Sequence, residues 1–263
     1  MTARIGFVGL GNMGAAMVRG LRGVEIFGTD LHQGSVDALA KDCGLIPAAD
    51  ALELADRCEY VVLAVKPQHA RSVCKNLAPA LGQGKTLISI CAGIPAERIK
   101  RWVDGSCPVI RVMPNTPALV GEGVFAVCLD DPELTEAQKS FVTESFKGLG
   151  QVHVLAEKDF DAFTAVIGSG PAYVFYFMEA CVESAVALGL PRPMATEMVK
   201  GLFSGSAKLA AQSPKHLSEL REMVTSPAGT TIQALIHMDR TAMRGNIIDA
   251  IRESYERSIE LGQ

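Results

Sequence analysis

Three groups of residues in this chain have the types and spacing to do chemistry. The first is Gly9-Leu10-Gly11-Asn12-Met13-Gly14. It follows a short apolar run, Ile5 to Val8, and precedes a helical pattern with Ala16, Met17 and Leu21 on one side. Strand, glycine turn and helix in that order make a phosphate cradle of the dinucleotide-binding kind. Gly9 permits the tight turn, Gly11 lets a pyrophosphate approach the backbone, and Gly14 lets the helix lie close on the strand. The helix start offers free N–H groups and the positive end of its dipole.

The second group is Thr225-Ser226-Pro227-Ala228-Gly229-Thr230-Thr231-Ile232. It reads as a helix start with Ser226 as N-cap and Pro227 at the first helical position, running through Leu235. Gly229, Thr230 and Thr231 on the first turn leave N–H groups and hydroxyls free, which makes an anion site. The third is the set of strand ends that can line a dinucleotide. Besides the glycine turn these are Thr29 to His32, Ala64 to Gln68 and Val112 to Thr116. Asp30 can accept a hydrogen bond from an adenosine ribose and would repel a 2′-phosphate. Val65, Lys66 and Pro67 leave a strand together, and Lys66 suits a phosphate or a carboxamide. Met113, Pro114 and Asn115 form an inflexible turn, and an amide held between two prolines suits ligand contact. Gly168-Ser169-Gly170-Pro171-Ala172-Tyr173 reads equally as a tight helix start and as a substrate contact. None of the five histidines has a metal-ligand spacing or stands beside a nucleophile, so no metal site is expected.

These groups need elements to hold them. The N-terminal part alternates apolar strands with helices: strands at Ile5–Val8, Glu25–Thr29, Ile46, Tyr60–Val65, Thr86–Cys91 and Val109–Met113. Continuous apolar strands separated by helices imply a parallel sheet covered on both faces. Val124–Leu129 and Val152–Leu155 read as added edge strands around one amphipathic helix, Thr135–Leu149. From about Glu157 only helices are expected: Tyr173–Leu188, apolar nearly all round, then Met194–Gln212, His216–Val224 and Thr241–Leu261. The fold class is therefore an α/β Rossmann-type domain, residues 1–156, followed by an all-α domain, residues 157–263. A helix apolar all round is buried on every side, often against a second subunit.

Bulk composition sets limits. Of 263 residues 48% are hydrophobic and 21% charged, and the net charge is −4. Nothing there favours nucleic acid or an anionic membrane as a partner. No apolar run looks long and uninterrupted enough to cross a bilayer. The chain enters a strand at once, without the pattern of a signal peptide. Seven widely spaced cysteines without a CxxC fit buried thiols in a reducing compartment, so a cytoplasmic location is expected.

Taken in order, Ile5 to Gly14, Ala64-Val65-Lys66-Pro67, Arg111-Val112-Met113-Pro114-Asn115-Thr116-Pro117-Ala118-Leu119-Val120, Gly168 to Tyr173 and Ser226-Pro227-Ala228-Gly229-Thr230-Thr231 resemble the pyrroline-5-carboxylate reductases along the whole chain. The Met-Pro-Asn-Thr-Pro and Ser-Pro-x-Gly-Thr-Thr runs are far more specific than the glycine fingerprint. The resemblance implies NAD(P)H-dependent reduction of the cyclic imine 1-pyrroline-5-carboxylate to L-proline, the last step of proline synthesis. It also implies a homodimer through the C-terminal helices, with decamers of five dimers as a further level, and an active site with elements of both subunits. It places the substrate loop on Ser226 to Thr231, the carboxylate-holding amides on Gly229 and Thr230, and a hydroxyl near the ring nitrogen on Thr231. Asp30 and Leu31 depart from members that favour NADPH, so NADPH or NADH is expected without strong preference for NADPH. Lys215-His216-Leu217 departs from members with Glu and Pro around that histidine, and no role for that acid carries over. The nearest rival, a β-hydroxyacid dehydrogenase of the hydroxyisobutyrate type, needs a lysine on the interdomain helix, and Tyr173–Leu188 has none.

Overall fold

In a computed structural model, which describes residues 2–262, the chain divides into two compact units. The first runs up to Ser169 and includes the chain end from Ser254, and the second is Gly170–Glu253.

The first unit is an eight-stranded sheet in the order β3-β2-β1-β4-β5-β6-β7-β8. The strands are β1 (Arg4–Val8), β2 (Glu25–Thr29), β3 (Ile46–Pro47), β4 (Tyr60–Leu63), β5 (Thr86–Ser89), β6 (Val109–Met113), β7 (Gly123–Cys128) and β8 (Gly150–Val154). The first six run parallel, β7 is antiparallel to β6, and β8 is parallel to β7. The helices between them are α1 (Asn12–Gly20), α2 (Gln33–Cys43), α3 (Ala51–Arg57), α4 (Pro67–Leu77), α5 (Ala96–Trp102) and α6 (Glu136–Lys147). β4 stops at Leu63, two residues short of the expected Val65, because the chain is already turning into Pro67. Of the two added strands only β8 lies at the edge.

Alternation along each strand feeds two cores. Phe7, Val62, Ile88 and Val112 pack with Met17 of α1, Leu39 of α2 and Phe146 of α6. Val8, Val61, Leu63 and Leu87 pack on the opposite face with Leu54 of α3, Cys74 and Leu77 of α4 and Ile99 of α5. α7 (Phe160–Phe163) closes a third, smaller cluster with Ala126 and Cys128 of β7. Thr135 starts α6 with a reciprocal cap: its Oγ1 accepts from Gln138 N at 3.3 Å, and its own N–H donates to Gln138 Oε1 at 2.8 Å.

All seven cysteines are free. Burial pushes the thiols of Cys58, Cys74 and Cys128 up to about 12, and those of Cys91 and Cys107 up to about 11. These are packing groups rather than nucleophiles.

After α7 comes a π turn, Thr164–Gly168, and then α8 (Gly170–Ala187), the first helix of the second unit. α9 (Arg192–Gln212), α10 (Leu217–Met223), α11 (Thr230–Arg240) and α12 (Met243–Gly262) follow. The last turns of α12 return to the first unit, where Ser258 Oγ donates to Asp161 Oδ1 at 2.7 Å.

One expectation is corrected here. The helical stretch Glu157–Ala187, 31 residues, is long and apolar enough to cross a membrane by length and composition. In the sequence, Gly168-Ser169-Gly170-Pro171 reads as a helix start or a substrate contact. In the structure the π turn carries the helical path across those residues.

Candidate active site

The parallel strands bring the expected cofactor residues to one edge of the first unit's sheet. The switch point lies between β1 and β4, which leave the sheet in opposite crossover directions. Gly9 has φ +101°, and a Cβ there would stand 2.6 Å from the carbonyl oxygen of Ala64. A Cβ on Gly14 would stand 2.4 Å from the oxygen of Gly9. Both positions are closed to any side chain, and the loop is locked against β4. Gly11 is the opposite case, because a Cβ there would meet nothing within 4 Å. It is also the N-cap of α1, which has no side-chain cap and no acid in its first turn. The start of α1 thus has open space beside Gly11 and no competing negative group. That arrangement fits a pyrophosphate.

Asp30, at the end of β2, accepts from Leu10 N at 2.5 Å through Oδ2 and from His32 N at 2.8 Å through Oδ1. It therefore braces the glycine loop, a role the sequence reading did not include. Leu31 beside it is fully exposed. On the β4 side, Lys66 is the N-cap residue of α4 with its side chain exposed, and Pro67 opens the helix. The Val65 carbonyl accepts from Cys91 Sγ at 3.4 Å.

At the end of β6, Met113 is half-buried, while Pro114 and Asn115 are buried. The Asn115 side chain is committed to the protein. Its Oδ1 accepts from Val124 N at 2.8 Å, and its Nδ2 donates to Ile167 O at 3.3 Å. Two further polar features were not singled out from sequence. Arg111, 6% exposed, pairs with Glu157 Oε1 at 3.1 Å and lies over the Phe160 ring at 4.8 Å. That same Glu157 oxygen accepts from Ala96 N at 2.7 Å, at the start of α5. Thr164 Oγ1, in the π turn, is buried without a hydrogen-bond partner. Arginine on a strand between apolar neighbours was the available signal for the first; the second had none. No cluster of metal-binding side chains exists among the described residues.

In the second unit, Ser226, Gly229, Thr230 and Thr231 stand in one short stretch, but the helix begins later than expected. Ser226 is not the N-cap. The four residues Ser226 to Gly229 form a turn closed by Gly229 N donating to Ser226 O at 3.1 Å, with Ala228 at φ +55°. α11 starts at Thr230, with Gly229 as an N-cap that has no side chain to offer. The left-handed Ala228 is what stops the helix from reaching back to Pro227. The consequence favours an anion. The first-turn amides of α11 have no side-chain cap and no acid among them, and Thr231 lies half-buried on that turn.

Comparison with known proteins bears directly on this arrangement. A family model described as pyrroline-5-carboxylate reductase dimerisation matches residues 157–261, and one described as NADP oxidoreductase, coenzyme F420-dependent, matches residues 4–93. The pyrroline-5-carboxylate reductase of Pseudomonas aeruginosa is 36% identical over 100% of this chain and 98% of its own length. That of Escherichia coli is 33% identical over the full length of both chains. This chain belongs to the pyrroline-5-carboxylate reductases.

Solved structures agree. The Coxiella burnetii reductase superposes with a TM-score of 0.92 at 31% identity over 100% of both chains. The Plasmodium falciparum reductase, solved with NADP bound, gives 0.87 at 31% identity over 99% of this chain and 98% of its own. A Mycobacterium tuberculosis 3-hydroxyisobutyrate dehydrogenase gives 0.55 at 18% identity over 73% of this chain and 67% of its own, and shares the fold alone. The chain is accordingly a nicotinamide-dependent oxidoreductase, and its matched dimerisation region supports self-association.

Proposed function

We propose that this reductase carries out the reduction of 1-pyrroline-5-carboxylate to L-proline with the substrate held at the start of α11 and the dinucleotide on the glycine edge of the sheet. The observation that carries the substrate half is the uncapped first turn of α11. Its amides at Gly229 and Thr230 suit the substrate carboxylate. Ser226 shapes the preceding turn. The Thr231 hydroxyl hydrogen-bonds to the ring nitrogen, which must hold or gain a proton as the C=N carbon is reduced, and it relays that proton from water.

On the cofactor side, Gly9, Gly11, Asn12, Met13 and Gly14 take the pyrophosphate, and Asp30 accepts from the adenosine ribose with lone pairs its two backbone donors leave free. Val65, Lys66, Pro67, Met113, Pro114 and the backbone of Asn115 line the remainder. The bound nicotinamide supplies the hydride. Asp30 disfavours a 2′-phosphate, so NADH competes well with NADPH. We place the start of the substrate and dimerisation part at residue 157, and the match of the dimerisation model to residues 157–261 supports that reading. The working assembly is a homodimer through the C-terminal helices, with a decamer of five dimers as the higher form. Its apolar surface, including that of α8, belongs to that contact and not to a membrane. Seven free thiols suit the cytoplasm.

The test is steady-state absorbance with NADH or NADPH and racemic pyrroline-5-carboxylate. Cofactor consumption is expected with both. Turnover of a hydroxyacid with NAD(P) instead would replace this reading with that of the dehydrogenase.

A further inference from the structure

We propose that Asn115 is a positioning residue of the reaction: its side chain fixes the π turn Thr164–Gly168 against the end of β6 without touching the cofactor. The pairing of β6 with β7 ends at Met113 and Ala126. Pro114 has no N–H to continue it. The Asn115 side-chain oxygen takes the next free amide of β7, that of Val124, at 2.8 Å. Its nitrogen then reaches across 52 residues to Ile167 O at 3.3 Å.

Ile167 lies in the π turn, where Ser169 N donates to Thr164 O at 2.8 Å. Such turns are held only where the surroundings fix them, and they are frequent at functional sites. Here the Thr164 hydroxyl is left buried without a partner. Met113 supplies a second restraint, since a Cβ on Gly168 would stand 2.9 Å from its Cε. A dinucleotide crossing the switch point puts its nicotinamide half on the β4-to-β6 side. Asn115 thus holds the wall of that half through Ile167. This rests on the reductase reading above.

The test uses the full chain and the variant Asn115→Asp, which keeps an acceptor for Val124 N but sets a carboxylate against Ile167 O. With NADH and pyrroline-5-carboxylate, kcat is expected to fall roughly 10- to 100-fold, as small misplacements of reacting groups do. The KM for NADH should stay within about twofold, because no cofactor contact is removed. Lowering the pH should restore part of the variant-to-wild-type ratio. A buried carboxyl holds its proton above the ordinary range, and the protonated group can donate to Ile167 O.

Hydrogen exchange at the Ser169 amide should quicken in the variant. That readout is independent of turnover, so an inactive wild type would sink the imine reading and leave this inference testable. If Asn115→Asp does not fold, Gly168→Ala disturbs the same turn through its second restraint, Met113, and should give the same split. A wild-type kcat at any melting temperature, unchanged exchange at Ser169, or a raised KM for NADH with kcat intact would overturn the proposal.

Discussion

The two units of this molecule have similar access to apolar residues and put them to opposite use. In the first unit both faces of the sheet are covered, and side chains such as Phe7, Leu63, Ile88, Phe125 and Phe146 are wholly buried. In the second, among the described residues, the buried hydrophobics are Ala195 and Val199. Phe175, Tyr176, Met198, Leu202 and Ile248 are each more than half exposed. α8 and its neighbours are apolar enough to make a core, but one chain gives them no layer to pack against. Hydrophobic content alone therefore does not define a core. The first unit completes its own packing, while the second leaves an apolar face exposed.

The sharpest way to break this contrast is a charge on the uncovered face. Leu202→Asp should leave the first unit folded but abolish self-association, and activity with it. Light scattering at micromolar concentration would show a monomer, and a fully associated, active variant would refute the assignment of that face.

Thr231→Ala comes next. If the hydroxyl acts on the imine, kcat should drop roughly 10²- to 10⁴-fold. The structure already separates this from a capping loss, since the α11 cap is Gly229 and not Thr231. A normal kcat would remove Thr231 from the chemistry.

A smaller effect belongs to the self-sufficient unit. Burial pushes the Asp131 carboxyl up, but hydrogen bonds from Lys100, Val109 N and Glu133 N outweigh that and hold it below the usual carboxylate range. Lys100 Nζ stands 2.9 Å from it. A depressed carboxyl contributes stability at neutral pH that is lost as pH falls through its folded value. Asp131→Asn should cost about 1–3 kcal/mol in urea unfolding at pH 7, and the difference from wild type should shrink below about pH 4. A constant difference across that range would show that the charge is not what matters.

The smallest effect is on cofactor choice. Asp30→Ser should raise the NADPH:NADH ratio of kcat/KM several-fold, on the order of 1 kcal/mol. It should also lower both values, because Leu10 N loses its acceptor. A ratio that is unchanged or lower would mean Asp30 only braces the loop.

Much of the first unit was legible because its signals are local. Glu25–Thr29 and Val109–Met113 are short, mostly apolar or β-branched runs with abrupt ends, and both appear as strands at those bounds. The glycine turn was legible for the same reason. The start of α11 was not: Ser226-Pro227 has the local chemistry of a cap, and only the left-handed Ala228 moves the start to Thr230. Nor were the tertiary links. The partners of Asn115 are 9 and 52 residues away, and that of Arg111 is 46 away. Residue type cannot reveal partners at such separations without the fold. The antiparallel β7 inside the sheet belongs to the same class, since a short apolar strand does not announce its direction.

The return of α12 to the first unit closes that unit with residues far along the chain. Ser258 bonds to Asp161, 97 residues earlier, and a Cβ on Gly93 would touch Leu261. A chain emerging from the ribosome can assemble its sheet and helices early, but these contacts wait until Ser258 and Leu261 have been made. Until then the surface around Gly93 and Asp161 is bare, and the nascent chain has two uncovered faces rather than one. Ser258 and Leu261 therefore cover a part of the first unit that its earlier residues leave open.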